Sequence, residues 1–433
     1  MDDYSLEPET PEAAQSPPEA GWRRHLRQNY LVHSVEGGMF FGALSFVSAT
    51  TLLPTIIRDL GGPNWLISMM PVMMAMGVLL PPIFTAHLID RLGRYMPLLL
   101  VTGVFQRLPY LLAALALLFG GPLLALTAVA TAPLVSGIFC GVGFTAWQQL
   151  LIRTIPAKRR SSLFAVRSTI YCVIGLTAGY MVRTVLGVWP GATGYGVLHL
   201  LAFGFLALSY VVFAMIREAA PPPPANNERL GLLANLRNMP RIVRRDRRLR
   251  IFLLASASMS GIFILTPFLA IHARHLLGRP ESYLGDLLIV QMAGVMVGNF
   301  LSGYLGDRLG GKCVVMMSAA VFIGLSVASA VAASDLAFRA IFFAFGLAHI
   351  AQMIGGKTLS LEICRSRQRS TYLAIMAFVK LLSMLAATAI SGAIWNGGAR
   401  FGYLAALTAA CVLAAMGFLA VLREPRKDAA PER

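Results

Sequence analysis

Twelve mainly apolar runs, each about as long as a membrane-crossing helix, alternate with short polar segments along this chain of 433 residues. A helix needs about 20 residues to cross the hydrocarbon core of a bilayer, and in lipid its backbone groups must bond to one another. The sequence therefore predicts an all-α membrane protein with twelve transmembrane helices. The predicted spans are 31–56, 65–88, 97–119, 124–150, 163–187, 194–216, 249–273, 283–305, 313–333, 336–362, 371–394 and 401–422.

The composition agrees with a membrane protein and argues against other classes. Apolar residues are 57% of the chain and charged residues 13%, compared with about 25% charged residues in soluble domains. The net charge of +17 does not predict a nucleic-acid partner, since the basic residues lie in loops between apolar runs. No cluster of His, Asp and Glu marks a membrane face, so no enzyme, metal site or cofactor is expected, and the cysteine positions predict no disulfides.

A charged turn between two apolar runs occurs twice, about half the chain length apart. The first copy, 86–94, reads Ala-His-Leu-Ile-Asp-Arg-Leu-Gly-Arg, and the second, 303–312, reads Gly-Tyr-Leu-Gly-Asp-Arg-Leu-Gly-Gly-Lys. A repeat at this distance predicts two similar halves. The turn resembles the loop signature of the major facilitator superfamily, a family of twelve-helix secondary transporters. The resemblance implies two six-helix bundles with pseudo-twofold symmetry and transport by alternating access.

Proline-rich and basic segments divide the predicted chain into five parts. The acidic, Pro-rich start is typical of a disordered tail, and Pro221 to Pro224 end the sixth span. The basic segment that follows is predicted either to form a short amphipathic helix on the membrane surface or to be a solvated linker. The predicted parts are a cytoplasmic tail 1–22, an N-terminal bundle 23–216, a cytoplasmic linker 217–248, a C-terminal bundle 249–422 and a cytoplasmic tail 423–433.

The distribution of Lys and Arg predicts the orientation of the chain in the membrane. Basic residues are concentrated in the loops on the side of both termini, whereas the opposite loops carry Arg58, Arg274, Arg279 and Arg400. Positive loops remain inside, so both termini are expected in the cytoplasm. Short loops and an Ala- and Arg-rich composition favour a bacterial inner membrane, with a monomer as the expected state.

In the resembling family the repeated turn latches the cytoplasmic side. A carboxylate near a helix N-terminus meets the positive end of the helix dipole, and glycine permits the tight turn. The alternative is that these turns are only topology signals. The residues assigned to the latch are Asp90, Arg91, Gly93, Arg94, Asp307, Arg308, Gly310 and Lys312, with Arg153 and Arg365 as basic partners.

Two glycine pairs predict close packing of helices. The fifth span contains Gly175 and Gly179, and the eighth contains Gly294 and Gly298. Small residues four apart let helix backbones approach closely. Because the resemblance implies that these two helices face each other across the halves, we expect them to form a sliding interface.

Ionisable side chains within the spans are candidates for the substrate or proton pathway, because they are costly to place in a membrane. These candidates are Glu36, His349, Lys357 and Lys380, with Gln291 as additional polar lining. Glu36 is the expected partner or proton carrier for Lys380. The alternative for each is a buried ion pair or hydrogen bond that holds helices together, and this is the interpretation favoured for Arg107.

The predicted function is secondary active transport of a small solute, coupled to protons or another ion. Buried cations outnumber buried carboxylates, which favours an anionic or zwitterionic substrate. A multidrug or metabolite efflux antiporter is the first alternative, although Tyr180 stands where drug antiporters carry a proline after the GxxxG of the fifth helix. The alternative from another class is a non-transporting membrane sensor with a transporter fold.

Overall fold

The computed structural model describes residues 25–82, 85, 92–218, 240–364 and 369–423, which form helices and connecting turns without a β-strand. In chain order the helices are α1 (Leu26–Ala43), α2 (Leu52–Asp59), α3 (Asn64–Leu79), α4 (Met96–Phe119), α5 (Pro122–Thr154), α6 (Ala157–Val188), α7 (Ala192–Ala214), α8 (Arg247–Met259), α9 (Ile262–Leu276), α10 (Tyr283–Leu309), α11 (Gly311–Val331), α12 (Asp335–Ile363), α13 (Arg369–Ile394) and α14 (Phe401–Val421).

Eleven helical segments of the described residues are long and apolar enough to cross a membrane. Two of them combine successive helices, α1 with α2 and α8 with α9. Helix α3, in the predicted second span, is apolar but only 16 residues long between Asn64 and Leu79. The structure therefore has an all-helical membrane fold with eleven candidate spans, against the twelve predicted.

The predicted first and seventh spans are each broken near their middle. A 3-10 turn, Leu44–Val47, follows α1, and an extended Ser48 precedes α2. Between α8 and α9 the break falls at Ser260 and Gly261. A Cβ at Gly261 would collide with the Cys411 side chain of α14. Close packing at a glycine explains the position of the second break, which hydropathy does not reveal.

The short helices α2 and α9 fill the centre of one end of the molecule. We call the end at which the described residues begin and finish, at His25 and Arg423, the terminal face and the other the distal face. Residues 52–57 of α2 and 262–271 of α9 are buried, and the two helices contact each other and α3. Both end at the distal face, which they close with apolar side chains.

The N-terminal half (25–218) and the C-terminal half (240–423) also meet along two longer helix pairs. Helix α6 packs against α10, and α3 packs against α13. Gly392 of α13 lies against the backbone of Trp65, and the Asn64 amide donates a hydrogen bond of 3.2 Å to the carbonyl oxygen of Trp395. These contacts lie near the distal face, so the halves are joined there.

Candidate functional site

A buried carboxylate lies between two arginines inside the N-terminal half. The Glu36 residue of α1 is only 6% exposed. Its Oε1 lies 3.8 Å from Nη2 of Arg107 on α4, and its Oε2 lies 4.0 Å from Nη1 of Arg167 on α6. We call these three residues the buried triad. It connects three helices and has more positive than negative charge.

The Arg107 side chain is held firmly by hydrogen bonds. Its Nε donates to the carbonyl oxygen of Leu206 at 2.9 Å, its Nη1 donates to that of Gly103 at 3.0 Å, and its Nη2 donates to the Ser209 hydroxyl at 3.1 Å. The bonds to Leu206 and Ser209 attach α4 to α7. The geometry is that of a structural arginine.

The Arg167 side chain is held very differently. Its guanidinium carbon lies 5.4 Å from the ring centre of Phe41 and 5.2 Å from that of Trp147. Among the described residues it has these ring contacts and the Glu36 ion pair but no hydrogen bond, and both its Nη1 and Glu36 Oε2 are buried without a hydrogen-bond partner. Sequence reasoning missed Arg167, although a basic residue in the first turns of an apolar run was the available signal.

Three candidates from the sequence gather in the C-terminal half. Lys357 and His349 lie on α12, and Lys380 lies on α13. Both lysine side chains are exposed. Lys380 is close enough to His349 and Lys357 for electrostatic interaction, and Lys357 is close enough to Arg167 of the other half. The cations of the two halves therefore belong to one electrostatic neighbourhood.

The expected pairing of Glu36 with Lys380 is corrected by the positions of these residues. Glu36 is turned towards α4 and α6, where it pairs with Arg107 and Arg167. Neither Lys357 nor Lys380 has an ion pair with a carboxylate in the part of the chain that the structure describes. The two lysines are thus accessible cations without a protein counter-charge among those residues.

Gln291 of α10 joins the two halves at the break in the first span. It is buried, and its side-chain oxygen accepts a hydrogen bond of 2.8 Å from the Thr51 hydroxyl. Its amide nitrogen donates to the Thr50 hydroxyl at 3.4 Å. In this conformation Gln291 therefore holds the halves together next to the start of helix α2.

Charged side chains connect the halves again at the distal face. Nη1 of Arg274 lies 2.8 Å from Oδ2 of Asp59, which also accepts a 2.6 Å hydrogen bond from the Tyr195 hydroxyl. Arg274 is 3.6 Å from Glu281, whose carboxylate accepts a 2.7 Å bond from the backbone of Gly191. We call this set the distal ion network. Sequence reasoning used Arg274 only for orientation and missed this role.

A second cross-half contact lies nearby. Asp286 of the C-terminal half is 3.3 Å from Arg183 of the N-terminal half and 3.4 Å from Arg339 of its own half. Gly285, the residue before it, packs directly on the backbone of Arg183. Charge and close packing therefore coincide at this point of the distal face.

Residues 39–278 and 251–433 match the family model described as Major Facilitator Superfamily. The chain belongs to this superfamily. It is similar in fold to solved structures of a D-xylose-proton symporter (14% identity, TM-score 0.71, 94% of this chain and 100% of that one) and of the nucleoside transporter NupG (13%, 0.69, 91% and 100%). A POT family transporter in complex with 5-aminolevulinic acid is also similar (11%, 0.65, 93% and 97%). No curated protein sequence matches the chain.

The signature turns of the superfamily are only partly described. Asp90, Arg91 and Arg365 lie outside the described residues, as does most of the first turn. Gly93 accepts a 3.2 Å hydrogen bond from Arg153, which also contacts Tyr95 and Glu218 at 3.0 and 3.3 Å. These contacts stay within the N-terminal half.

The second signature turn also contacts its own half. Gly310 has a positive φ of 89°, which favours glycine, where α10 passes into α11. Lys312 donates to the carbonyl oxygen of Leu422 at 2.5 Å, and Arg308 contacts the hydroxyl of Tyr304. The latch between the halves remains a prediction.

The two glycine pairs expected in the superfamily interface have different partners. Gly175 and Gly179 of α6 face Met292 and Ile289 of α10, which is the expected helix. Gly294 and Gly298 of α10 instead pack against Phe343 and Leu347 of α12. The predicted glycine-to-glycine interface is therefore corrected. Gly294 and Gly298 bring together two helices of the same half.

Proposed function

We propose that this member of the superfamily is a secondary active transporter of a small anionic solute, or of a zwitterionic solute with an anionic group. The observation that carries the proposal is the surplus of cations on the membrane-spanning helices around Glu36. Arg107, Arg167, Lys357 and Lys380 are opposed by the single carboxylate Glu36 in the described neighbourhood. Interior charges are costly in a membrane unless something compensates them. A transported anion supplies that compensation.

The proposed mechanism is alternating access, and the distribution of contacts supports it. Helices α2 and α9 and the distal ion network close the distal face, whereas the contacts of Arg153 and Lys312 at the terminal face stay within one half. This arrangement fits a state closed at the distal face. Rocking of the halves would break the distal ion network and expose the site there.

We place the chain in a bacterial inner membrane with both termini in the cytoplasm, and we assign ion coupling to protons through Glu36 or His349. One of the similar structures is a D-xylose-proton symporter, which makes proton coupling a reasonable expectation for a related fold. The cationic interior nevertheless favours an anion over a neutral sugar.

A ligand screen on purified protein tests the proposed substrate class. A ligand that binds the folded state raises the apparent melting temperature by mass action. We expect carboxylates or phosphates, but not D-xylose or uridine, to raise it, and we expect the same anions to drive uptake into proteoliposomes. Stabilisation by neutral solutes with no response to any anion would contradict the proposal.

A further inference from the structure

Arg167 is a buried cation whose hydrogen-bonding groups are not used. A guanidinium carries five N–H donors and is always charged. The residue is 9% exposed, its Nη1 has no hydrogen-bond partner, and its nearest carboxylate oxygen is 4.0 Å away. Arg107, at similar burial, makes hydrogen bonds to Leu206, Gly103 and Ser209. The two arginines of the buried triad are therefore alike in residue type and burial, but within the described part of the chain only Arg107 uses its hydrogen-bond donors.

The described residues around Arg167 fix the position of its guanidinium group but accept no hydrogen bond from it. A Cβ at Gly37 would overlap the guanidinium, so the absence of a side chain there makes the room for it. Phe41 and Trp147 contact it through their rings, and a ring cannot accept the directional bonds that a guanidinium prefers. Phe41 itself is 46% exposed.

Glu36 has the complementary property. Its Oε2 is buried without a hydrogen-bond partner and faces Arg167 at a distance too long for a hydrogen bond. Lys357 approaches Arg167 from the other half. A carboxylate that is near a cation but not hydrogen-bonded to it compensates the charge of that cation. A ligand can then displace the carboxylate without breaking a hydrogen bond.

We propose that Arg167 is the residue through which the N-terminal half binds the transported anion, and that Glu36 is a tethered competitor for it when the site is empty. This inference rests on the proposed function. Oxygen atoms of the anion accept the free N–H groups of Arg167, while Lys357 and Lys380 contribute positive charge from the other half. Glu36 then remains paired with Arg107 alone. Binding thereby links the two halves through one ligand.

Three variants test the inference, with thermal-shift titrations of sodium succinate and sodium phosphate at constant ionic strength. Glu36→Gln removes the competitor and should tighten anion binding by about fivefold or more, within the usual range of coupling between linked sites. Arg167→Gln should weaken it by about tenfold or more, because charge-assisted bonds are lost. Gly37→Ala should also weaken anion binding, because the added Cβ displaces the guanidinium. The control is Gly204→Ala, where the Cβ has open space, and this variant should bind anions as the wild type does.

The tighter anion binding expected for Glu36→Gln distinguishes the role of a competitor from a purely structural role. If Glu36 only compensates two arginines, Glu36→Gln will lower the melting temperature and leave anion binding unchanged or weaker, and the inference fails. If Arg167→Gln does not fold, Arg167→Lys and Gly37→Ala decide, since lysine keeps the charge but loses the fork geometry. Either variant binding anions as tightly as the wild type overturns the inference.

Failure of this inference is distinguishable from failure of the proposed function. If neither anion stabilises the wild type, both fail. If the wild type responds and Lys357→Ala loses the response, while the Glu36 and Arg167 variants bind like the wild type, the proposed function stands and only the inference on the buried triad is wrong.

Discussion

At the scale of single residues, the two arginines of the buried triad differ in how many of their hydrogen-bond donors are used. Arg107 and Arg167 share one carboxylate, yet only Arg107 is bonded to the backbone of its neighbours. Residue type is the same for both, and both are buried. What differs is whether the surrounding helices offer hydrogen-bond acceptors, and for this reason we propose Arg167 as the cation that binds a ligand.

Replacing Arg107 should destabilise the fold. Arg107→Met leaves several acceptors and Glu36 without this partner, and breaking a buried charged pair costs about 3–5 kcal/mol. We expect a correspondingly lower free energy of unfolding in detergent, measured by denaturant titration. The control Lys158→Met changes an exposed residue and should lie within about 0.5 kcal/mol of the wild type. Unchanged stability with lost transport would show that Arg107 acts on the substrate instead.

Replacing Lys380 should have the reverse effect. Lys380→Ala removes an exposed cation without a carboxylate partner among the described residues, so we expect normal yield and melting temperature but loss of anion stabilisation and of uptake. Lys312→Ala serves as the matched control, because Lys312 bonds to the backbone of Leu422 and should affect stability and not anion binding. A Lys380 variant that transports normally contradicts the assignment.

At the scale of secondary-structure elements, the breaks in the first and seventh spans separate the short helices α2 and α9 from the helices before them. The breaks before α2 and after α8 allow the two short helices to turn into the centre, where they are buried on nearly all sides. The distal ion network lies around their ends. We therefore propose that helices α2 and α9 and the distal ion network act together on one equilibrium between closed and open states.

The Asp59–Arg274 pair should stabilise the closed distal face. A hydrogen bond between charged, partly buried groups contributes about 1–3 kcal/mol, so Asp59→Asn or Arg274→Gln should shift the population towards opening. The measurement uses spin labels at Val188→Cys and Leu276→Cys, both exposed positions, in a protein without its native cysteines. The labels report the distance between the two halves at the distal face. The double variant should add little to either single one.

The control for this experiment is Arg279→Gln. Arg279 is 4.0 Å from Asp335 within the same half, and its side chain is half-exposed, so its removal should leave the distance distribution unchanged. Equal distributions in the wild type and the Asp59 and Arg274 variants would mean that the distal ion network does not hold the closed state.

At the scale of the whole molecule, the orientation of the chain in the membrane determines which side of the membrane the distal face lies on. If both termini lie in the cytoplasm, as we propose, the distal face is external and we expect the site to be reached from inside. Asn64 is exposed near the distal face and Lys158 is exposed at the terminal face. In a cysteine-free background, an impermeant maleimide should label Asn64→Cys in intact cells and Lys158→Cys only after permeabilisation. The reverse pattern would invert the assignment.

Much of this molecule follows from its sequence alone. Hydropathy predicts nearly all the spans because a bilayer demands about 20 apolar residues per helix wherever the chain crosses. The repeated Asp-Arg turn indicates the superfamily because it recurs at half the chain length. Glu36, Lys357 and Lys380 are conspicuous because charges in apolar runs are costly. Each of these signals is local and can be read without knowing which helices are neighbours.

Tertiary structure alone decided the partners. Glu36 pairs with Arg107 and Arg167 instead of Lys380, Gly294 packs on α12 instead of α6, and Arg274 bridges to Asp59. Hydropathy does not indicate the direction in which a side chain leaves its helix, or which helix lies on that side. Pairing energies depend on distances of a few ångströms between segments far apart in the chain. The sequence therefore determined which charges the membrane interior must contain, and packing decided which of them were left unsatisfied.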